Sequence, residues 1–385
     1  MTEMTHQIII VGGGPAGLAT ALFLAQQAPD LARQTLILES KQHPRPKLCG
    51  GGVTFHGAAQ LRRLGVQIDI PTFRVNNLLF RLGRRSFKVR HSGAMHIYER
   101  AIFDAVLAQA VIDRGIAMHT HEQLLDLRMV DGGVELTTSA GQYRARVVVG
   151  ADGANSTVRR KLRMFNTPGV ARLLRTMTPV SADNPTWAEQ TAIFDFTCVL
   201  HGIQGYMWDF PCLIDGTPHM NRGILDSRII PRAASERAHG LLKQFFTDGL
   251  RDRQVDLDSA VLEGHPVRWF NVDAEFSRPH ILLAGDAAGV DPLFAEGISY
   301  AMEYGAVVVE TIRDAFARDD FTFQGYRARL LDHHLGRLLM RRVMAARYFY
   351  RHQFPSFWSL FWQLAAVAPQ SVQNKFGAAL ALLPP

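Results

Sequence analysis

Cysteine is scarce. Three residues in 385, Cys49, Cys198 and Cys212, include no Cys-x-x-Cys pair, which excludes a disulfide scaffold and suggests a reducing, cytoplasmic setting. No stretch is long and apolar enough to read as a transmembrane span, and the polar residues 1–6 lack the shape of a signal peptide. His119 with His121 and His333 with His334 have no companion acids or cysteines at ligand spacing, so no metal site is expected. Basic residues are scattered and no nucleic-acid motif occurs, so nucleic acid is not an expected partner. Internal repeats and low-complexity segments are absent too. What remains is an ordinary globular composition, 47% hydrophobic and 20% charged, long enough for two or more lobes. The net charge of +7 favours anionic partners such as a nucleotide, a lipid headgroup or a membrane surface.

The richest stretch is 7–39. Ile8, Ile9, Ile10 and Val11 read as a short buried strand that runs into Gly12-Gly13-Gly14-Pro15-Ala16-Gly17 and then a helix-prone run from Leu18. Gly12, Gly14 and Gly17 stand at dinucleotide-binding spacing: one for the tight turn, one for close approach of a pyrophosphate, one for helix–strand packing. The helix start would hold the phosphates. A second apolar strand, Thr35 to Leu38, delivers Glu39 and Ser40, with Glu39 expected on a ribose 2′-hydroxyl. After it, Arg45, Lys47, Cys49 and Gly50 lie in a proline- and glycine-shaped loop, which is expected to touch the ligand rather than merely connect.

Further on, 73–89 alternate as a hairpin outside the nucleotide lobe. A helix from Tyr98 to Asp113 carries Arg100 at its start, unfavourable for the helix dipole unless an anion, ligand or side chain, pairs with it. Short strands are expected at Ala117-Met118, 124–127, 134–137 and 146–149, the last opening into Gly150-Ala151-Asp152-Gly153, again ligand-binding geometry. The aromatic-rich 178–270 suggests a second lobe on an antiparallel sheet, with strands at 193–201, 204–210 and 221–226. The stretch 280–284 returns to a buried strand ending in Gly285-Asp286-Ala287-Ala288-Gly289, and a long helix follows from Ile298 to about Ala317.

Four of these motifs together, Gly12-x-Gly14-x-x-Gly17, Arg100-x-x-Phe103-Asp104-x-x-Leu107, Gly150-Ala151-Asp152-Gly153 and Gly285-Asp286-Ala287-Ala288-Gly289, resemble the FAD-dependent oxidoreductases of the aromatic-hydroxylase superfamily. The resemblance implies an α/β fold: a discontinuous, Rossmann-like FAD-binding domain of the p-hydroxybenzoate-hydroxylase kind in residues 1–72, 91–175 and 273–320. An inserted antiparallel-sheet substrate domain would occupy 73–90 and 176–272, and a C-terminal helical region 321–385. FAD is the implied cofactor, held by Gly12, Gly14, Pro15, Ala16, Gly17, Glu39, Ser40, Lys47, Cys49, Gly50, Asp152 and Gly285. Arg100 and Leu124 would face adenosine and pyrophosphate, Asp286 the ribitol, and the helix start at Gly297 and Ile298 the pyrimidine edge of the flavin. A negative charge on reduced flavin suits a helix N-terminus.

Two stretches narrow the family. Pro46-Lys47-Leu48-Cys49-Gly50-Gly51 is similar to the flavin-facing segment of geranylgeranyl reductases, and Tyr206-Met207-Trp208-Asp209-Phe210-Pro211 resembles the signature lining their prenyl tunnel. Tyr206, Trp208 and Phe210 alternate, so a strand would turn all three to one face. The chain departs from the family at Phe294-Ala295, where Thr-Gly is usual; these are expected to narrow the pocket over the flavin. Its Gly216 and Gly223 also stand at other spacings. The implied reaction is reduction of C=C bonds in a prenyl chain, with Cys49 as proton donor or flavin neighbour and Phe294 against the substrate. The alternatives are a flavin monooxygenase acting on an apolar or aromatic small molecule, and a non-catalytic flavin-containing lipid-binding protein. The electron donor would be NAD(P)H or a ferredoxin-like protein. At 349–383, Phe349, Phe354, Phe357, Trp358, Leu360, Phe361, Trp362 and Leu364 with Arg341, Arg342, Arg347 and Arg351 suit a helix in a membrane interface. A helix covering the second lobe, or a dimer contact, fits the same residues.

Overall fold

The computed structural model describes residues 6–164, 169–231, 236–351 and 355–381. The first residues of the chain, Phe354 and Leu383 lie outside them. Ile8, Ile9 and Ile10 are fully buried in the strand His6–Val11, the centre of a sheet ordered Ser277–Arg278, Ile281–Leu283, Gln142–Gly150, His6–Val11, Thr35–Leu38, Ala117–His119. From Ile281–Leu283 onwards the pairs are parallel, which is why these strands are uninterrupted apolar runs. Leu124–Val130 and Gly133–Thr138 extend Gln142–Gly150 as an antiparallel meander. Two helices, Pro15–Gln27 and the 21-residue Ile298–Arg318, pack against each other beside this sheet.

The second sheet has eight strands, in the order Glu263–Arg268, Val170–Pro179, Thr217–Asp226, Met207–Ile214, Thr191–Asp195, Thr72–Leu82, Arg85–Tyr98, Gly52–Thr54. It is antiparallel except where Thr191–Asp195 runs parallel to Thr72–Leu82. The hairpin expected at 73–89 is longer, Thr72–Tyr98, and belongs to this same sheet. The strand expected over 193–201 stops at Asp195. The Asp195 carboxylate accepts from the Thr197 N–H at 3.0 Å and turns the chain into a short 3₁₀ helix, Phe196–His201. The strand expected to begin at 204 begins at Met207.

The C-terminal helices cover this second sheet. In Pro355–Val367, Trp358 and Trp362 are buried, with the Trp362 ring 6.0 Å from Phe87 and 5.4 Å from Phe196. Arg342 is buried as well, so the membrane-interface expectation is corrected for it and for these two core tryptophans. They lie one turn apart, and the face they share packs on the hairpin. No helix among the described residues is long and apolar enough to cross a membrane.

Candidate active site

A single cavity of about 460 Å³ runs from the glycine turn to the aromatic face of the second sheet. Its first part is a dinucleotide cradle. Gly12 has φ +110°, and a Cβ there would lie 2.4 Å from the Ala151 carbonyl oxygen; one on Gly17 would lie 2.0 Å from the Gly12 oxygen. Only glycine allows both contacts. By contrast, a Cβ on Gly14 would meet only Arg45 Nη2 at 3.8 Å, so the backbone there stands open to a ligand. Pro15 begins the helix, where its missing N–H costs nothing.

Glu39 ends the second strand, buried, and its Oε2 accepts from the Gly13 N–H at 2.9 Å and from Arg45 Nη2 at 3.1 Å. Ser40 Oγ donates to the other oxygen at 3.2 Å. Arg45 also approaches Asp104 at 3.6 Å. Arg100 finds its anion on its own helix, a two-armed pair with Asp104 at 2.9 Å and 2.9 Å. Burial opposes that guanidinium's charge, but Asp104 outweighs it and keeps Arg100 charged. Leu124 lines the same end. Asp152 also lines it, with Oδ2 accepting from Thr157 N at 2.6 Å and Val158 N at 3.1 Å. Burial pushes this carboxyl up, and its buried Oδ1 has no hydrogen-bond partner among the described residues.

In the middle stand Lys47, Cys49, Gly50, Asp286, Gly297 and Ile298. Burial lowers the Lys47 ammonium, with Asp286 opposing, and Lys47 Nζ lies 3.0 Å from His265 Nε2. Burial and Lys47 together lower His265. The Cys49 carbonyl accepts from Asn221 Nδ2 at 2.8 Å and from Arg175 at 3.3 Å, which bolts the motif loop to the second sheet. Gly297 precedes the helix Ile298–Arg318 with no side-chain cap, so its first N–H groups are presented to the cavity.

The far part is apolar. Tyr206, Trp208 and Phe210 all line it, joined by Leu78, Phe80 and Phe194. A Cβ on Gly223, opposite Trp208 in the neighbouring strand, would lie 2.1 Å from the indole; this glycine makes room for the ring. Trp208 Nε1 donates to Asn221 Oδ1 at 3.1 Å, the residue that also grips Cys49. Phe294 closes the inner wall, with centroids 5.7 Å from Phe194 and 5.7 Å from Tyr206. Tyr206 OH donates to the Phe294 carbonyl at 2.7 Å. Arg342, from the helix His334–Arg351, lies 5.3 Å over the Phe294 ring and 3.8 Å from buried Asp291. Burial lifts Asp291 to about 6 despite that arginine. Ala295 holds φ +54°, a left-handed conformation that favours glycine.

The structure thus brings every expected site residue except Gly17 and Gly285 into the lining itself, and those two act as packing points beneath it. Sequence reading missed Thr54, Asn221, His265, Glu296 and Arg342. Glu296 lay inside a quoted motif; the others carry no local signal. The open Gly14 backbone, the orphaned Asp152 oxygen and the uncapped Gly297 helix start fit a bound FAD: pyrophosphate at the turn, flavin at the long helix.

The FAD binding domain family model matches residues 5–307. Digeranylgeranylglycerophospholipid reductase 2 of Methanopyrus kandleri is 28% identical, over 82% of this chain and 79% of that protein. A geranylgeranyl bacteriochlorophyll reductase-like protein from Thermoplasma acidophilum has the same fold, with TM-score 0.72, 19% identity, and coverage of 97% of this chain and 90% of that one. So does p-nitrophenol 4-monooxygenase from Pseudomonas putida, with TM-score 0.69, 19% identity and 99% coverage of both chains. With its cradle built and its family model matched over most of its length, the chain belongs to the FAD binding domain family and is an FAD-dependent oxidoreductase.

Proposed function

We propose that this protein reduces isolated C=C bonds in an isoprenoid substrate. The observation that carries the reading is the continuity of the cavity: the Gly297 helix start and the wall of Tyr206, Trp208 and Phe210 line one chamber. Bound FAD supplies the hydride; the protein supplies position and electrostatics. The wall excludes water and orients the chain, and the Ile298–Arg318 helix start favours negative charge beside it. Cys49, held through its carbonyl by Asn221 and Arg175, is a flavin neighbour. NAD(P)H or a ferredoxin-like protein delivers electrons.

A second reading, monooxygenation of a compact aromatic or apolar molecule, is favoured by the Phe294 clamp, which shortens the apolar end. Anaerobic incubation of the reduced holoprotein with geranylgeraniol decides between them. A product heavier by two hydrogens supports the reductase. An absence of product until oxygen is admitted, followed by hydroxylation of an aromatic substrate, supports the monooxygenase. Tight binding without turnover under either condition leaves a flavin-containing lipid-binding protein.

A prenyl substrate resides in a bilayer, and moving it into an apolar chamber is nearly neutral, because burial is worth about 0.8 kcal/mol per CH₂ in either place. The membrane contact is therefore assigned to the exposed side of the C-terminal helices. Met344, Tyr348, Leu360, Leu364 and Val367 are exposed there, beside exposed Arg341, Arg347 and Arg351, a combination suited to an anionic leaflet.

A further inference from the structure

We infer that Glu296 is the proton donor of this reduction and that Thr54 positions it; the inference rests on the reductase reading. Reducing a C=C bond requires two deliveries. One carbon receives a hydride, with both electrons, from the reduced FAD, and the π bond breaks. The other carbon takes a proton from an acid. The FAD, oxidised in the process, is re-reduced by the nicotinamide or ferredoxin-type donor.

Five carboxyl side chains line the cavity: Glu39, Glu122, Asp152, Asp286 and Glu296. Three are engaged elsewhere. Glu39 is engaged by Gly13 and Arg45. Glu122 accepts from the Thr138 hydroxyl at 2.5 Å and lies 2.9 Å from His119. Asp152 caps the helix Thr157–Lys161. Asp286 stands beside Gly297, its Oδ1 3.5 Å from where a Cβ there would lie, on the side expected to hold the ribitol.

Glu296 stands on the seam between that end and the aromatic wall. Its neighbour Phe294 belongs to the aromatic wall, and Gly297 begins the helix facing the flavin. Glu296 Oε1 accepts from Thr54 Oγ1 at 2.7 Å, and Thr54 lies 3.4 Å from Ser299 Oγ. Glu296 Oε2 has no hydrogen-bond partner among the described residues. One oxygen is therefore fixed and the other is left open to the cavity. Thr54 arrives by a short route, because its strand Gly52–Thr54 follows directly on the Cys49-Gly50-Gly51 loop.

Of the other proton-bearing groups at this end, the Tyr206 hydroxyl donates to the Phe294 carbonyl and Lys47 Nζ lies 3.0 Å from His265 Nε2. After transfer, the Glu296 carboxylate regains its proton from water entering the cavity.

The test uses dithionite-reduced holoprotein, mixed anaerobically with geranylgeraniol in D₂O. The wild-type product carries two deuteriums per reduced bond, one from the acid and one from the solvent-exchanged hydrogen of the reduced FAD. Glu296→Gln keeps its FAD and its affinity for geranylgeraniol, read from tryptophan quenching, yet reoxidises its flavin about 100-fold or more slowly. Glu296→Asp recovers part of the rate. Thr54→Val lowers the rate and displaces its pH profile, and Thr54→Ser restores both. A Glu296→Gln rate close to that of an active wild type overturns the assignment. If Glu296→Gln does not fold, an unaltered pH profile in Thr54→Val and Glu296→Asp overturns it. An inert wild type instead overturns the reductase reading, and this proposal falls with it.

Discussion

Gly17 shows how little space the cradle spares. Its missing Cβ would lie 2.0 Å from the Gly12 oxygen, a backbone atom that cannot step aside. Gly17→Ala is expected to cost about 1–3 kcal/mol by overpacking and to weaken FAD retention, because the shift passes directly into the phosphate turn. Thermal melting with and without added FAD checks this; equal retention in mutant and wild type would contradict it. Glu303 gives a second case. It is buried in the long helix, with His56 Nε2 at 2.8 Å, His334 Nδ1 at 3.2 Å and His333 Nδ1 at 3.7 Å. Burial alone would raise its pKa, but the contacts with His56 and His334 outweigh burial and hold it below 4.5. The native value lies under the unfolded one, so its stabilisation is complete at neutral pH and is lost as pH falls through the native value. Glu303→Gln is expected to flatten the loss of melting temperature as pH falls below about 5, whereas an unchanged slope would show that the cluster contributes nothing.

At the scale of elements, the helix Pro355–Val367 has apolar residues on both sides. Trp358 and Trp362 face the hairpin, while Leu360 and Leu364 face outward. Trp362→Ala is expected to cost about 3–5 kcal/mol. Leu360→Ser with Leu364→Ser is expected to change stability by about 0.5 kcal/mol or less per site while weakening adsorption to anionic vesicles. Sedimentation with vesicles and melting curves separate the two effects; a large melting shift in the leucine pair would place that side in the core. Sequence reading singled out this helix but not its orientation, because an apolar pattern on both faces gives periodicity nothing to choose between. The glycine turn, the Arg100 helix, the strand alternation of Tyr206, Trp208 and Phe210, and the long helix from Ile298 were legible, since each signal lies within a few residues. The end of the strand at Asp195 was not, because an apolar run, 196–200, continues past a turn that a single aspartate imposes.

For the molecule as a whole, the site is assembled from segments far apart in the chain. Thr54 meets Glu296 across 242 positions, Lys47 meets His265 across 218, and Asn221 grips Cys49 across 172. No local pattern encodes such pairings, and for that reason Asn221 and His265 were invisible, and Arg342 was read as a membrane-interface arginine, until the two sheets were seen to share one cavity. That shared cavity is the central claim. The measurement that tests it most directly is a crystal structure of the FAD-loaded protein soaked with geranylgeraniol. The account predicts pyrophosphate on the Gly12–Gly17 turn, flavin at Gly297 and Ile298, and the prenyl chain against Tyr206, Trp208 and Phe210. Prenyl density confined to the outer Leu360–Leu364 face, with the aromatic wall closed upon itself, would contradict it.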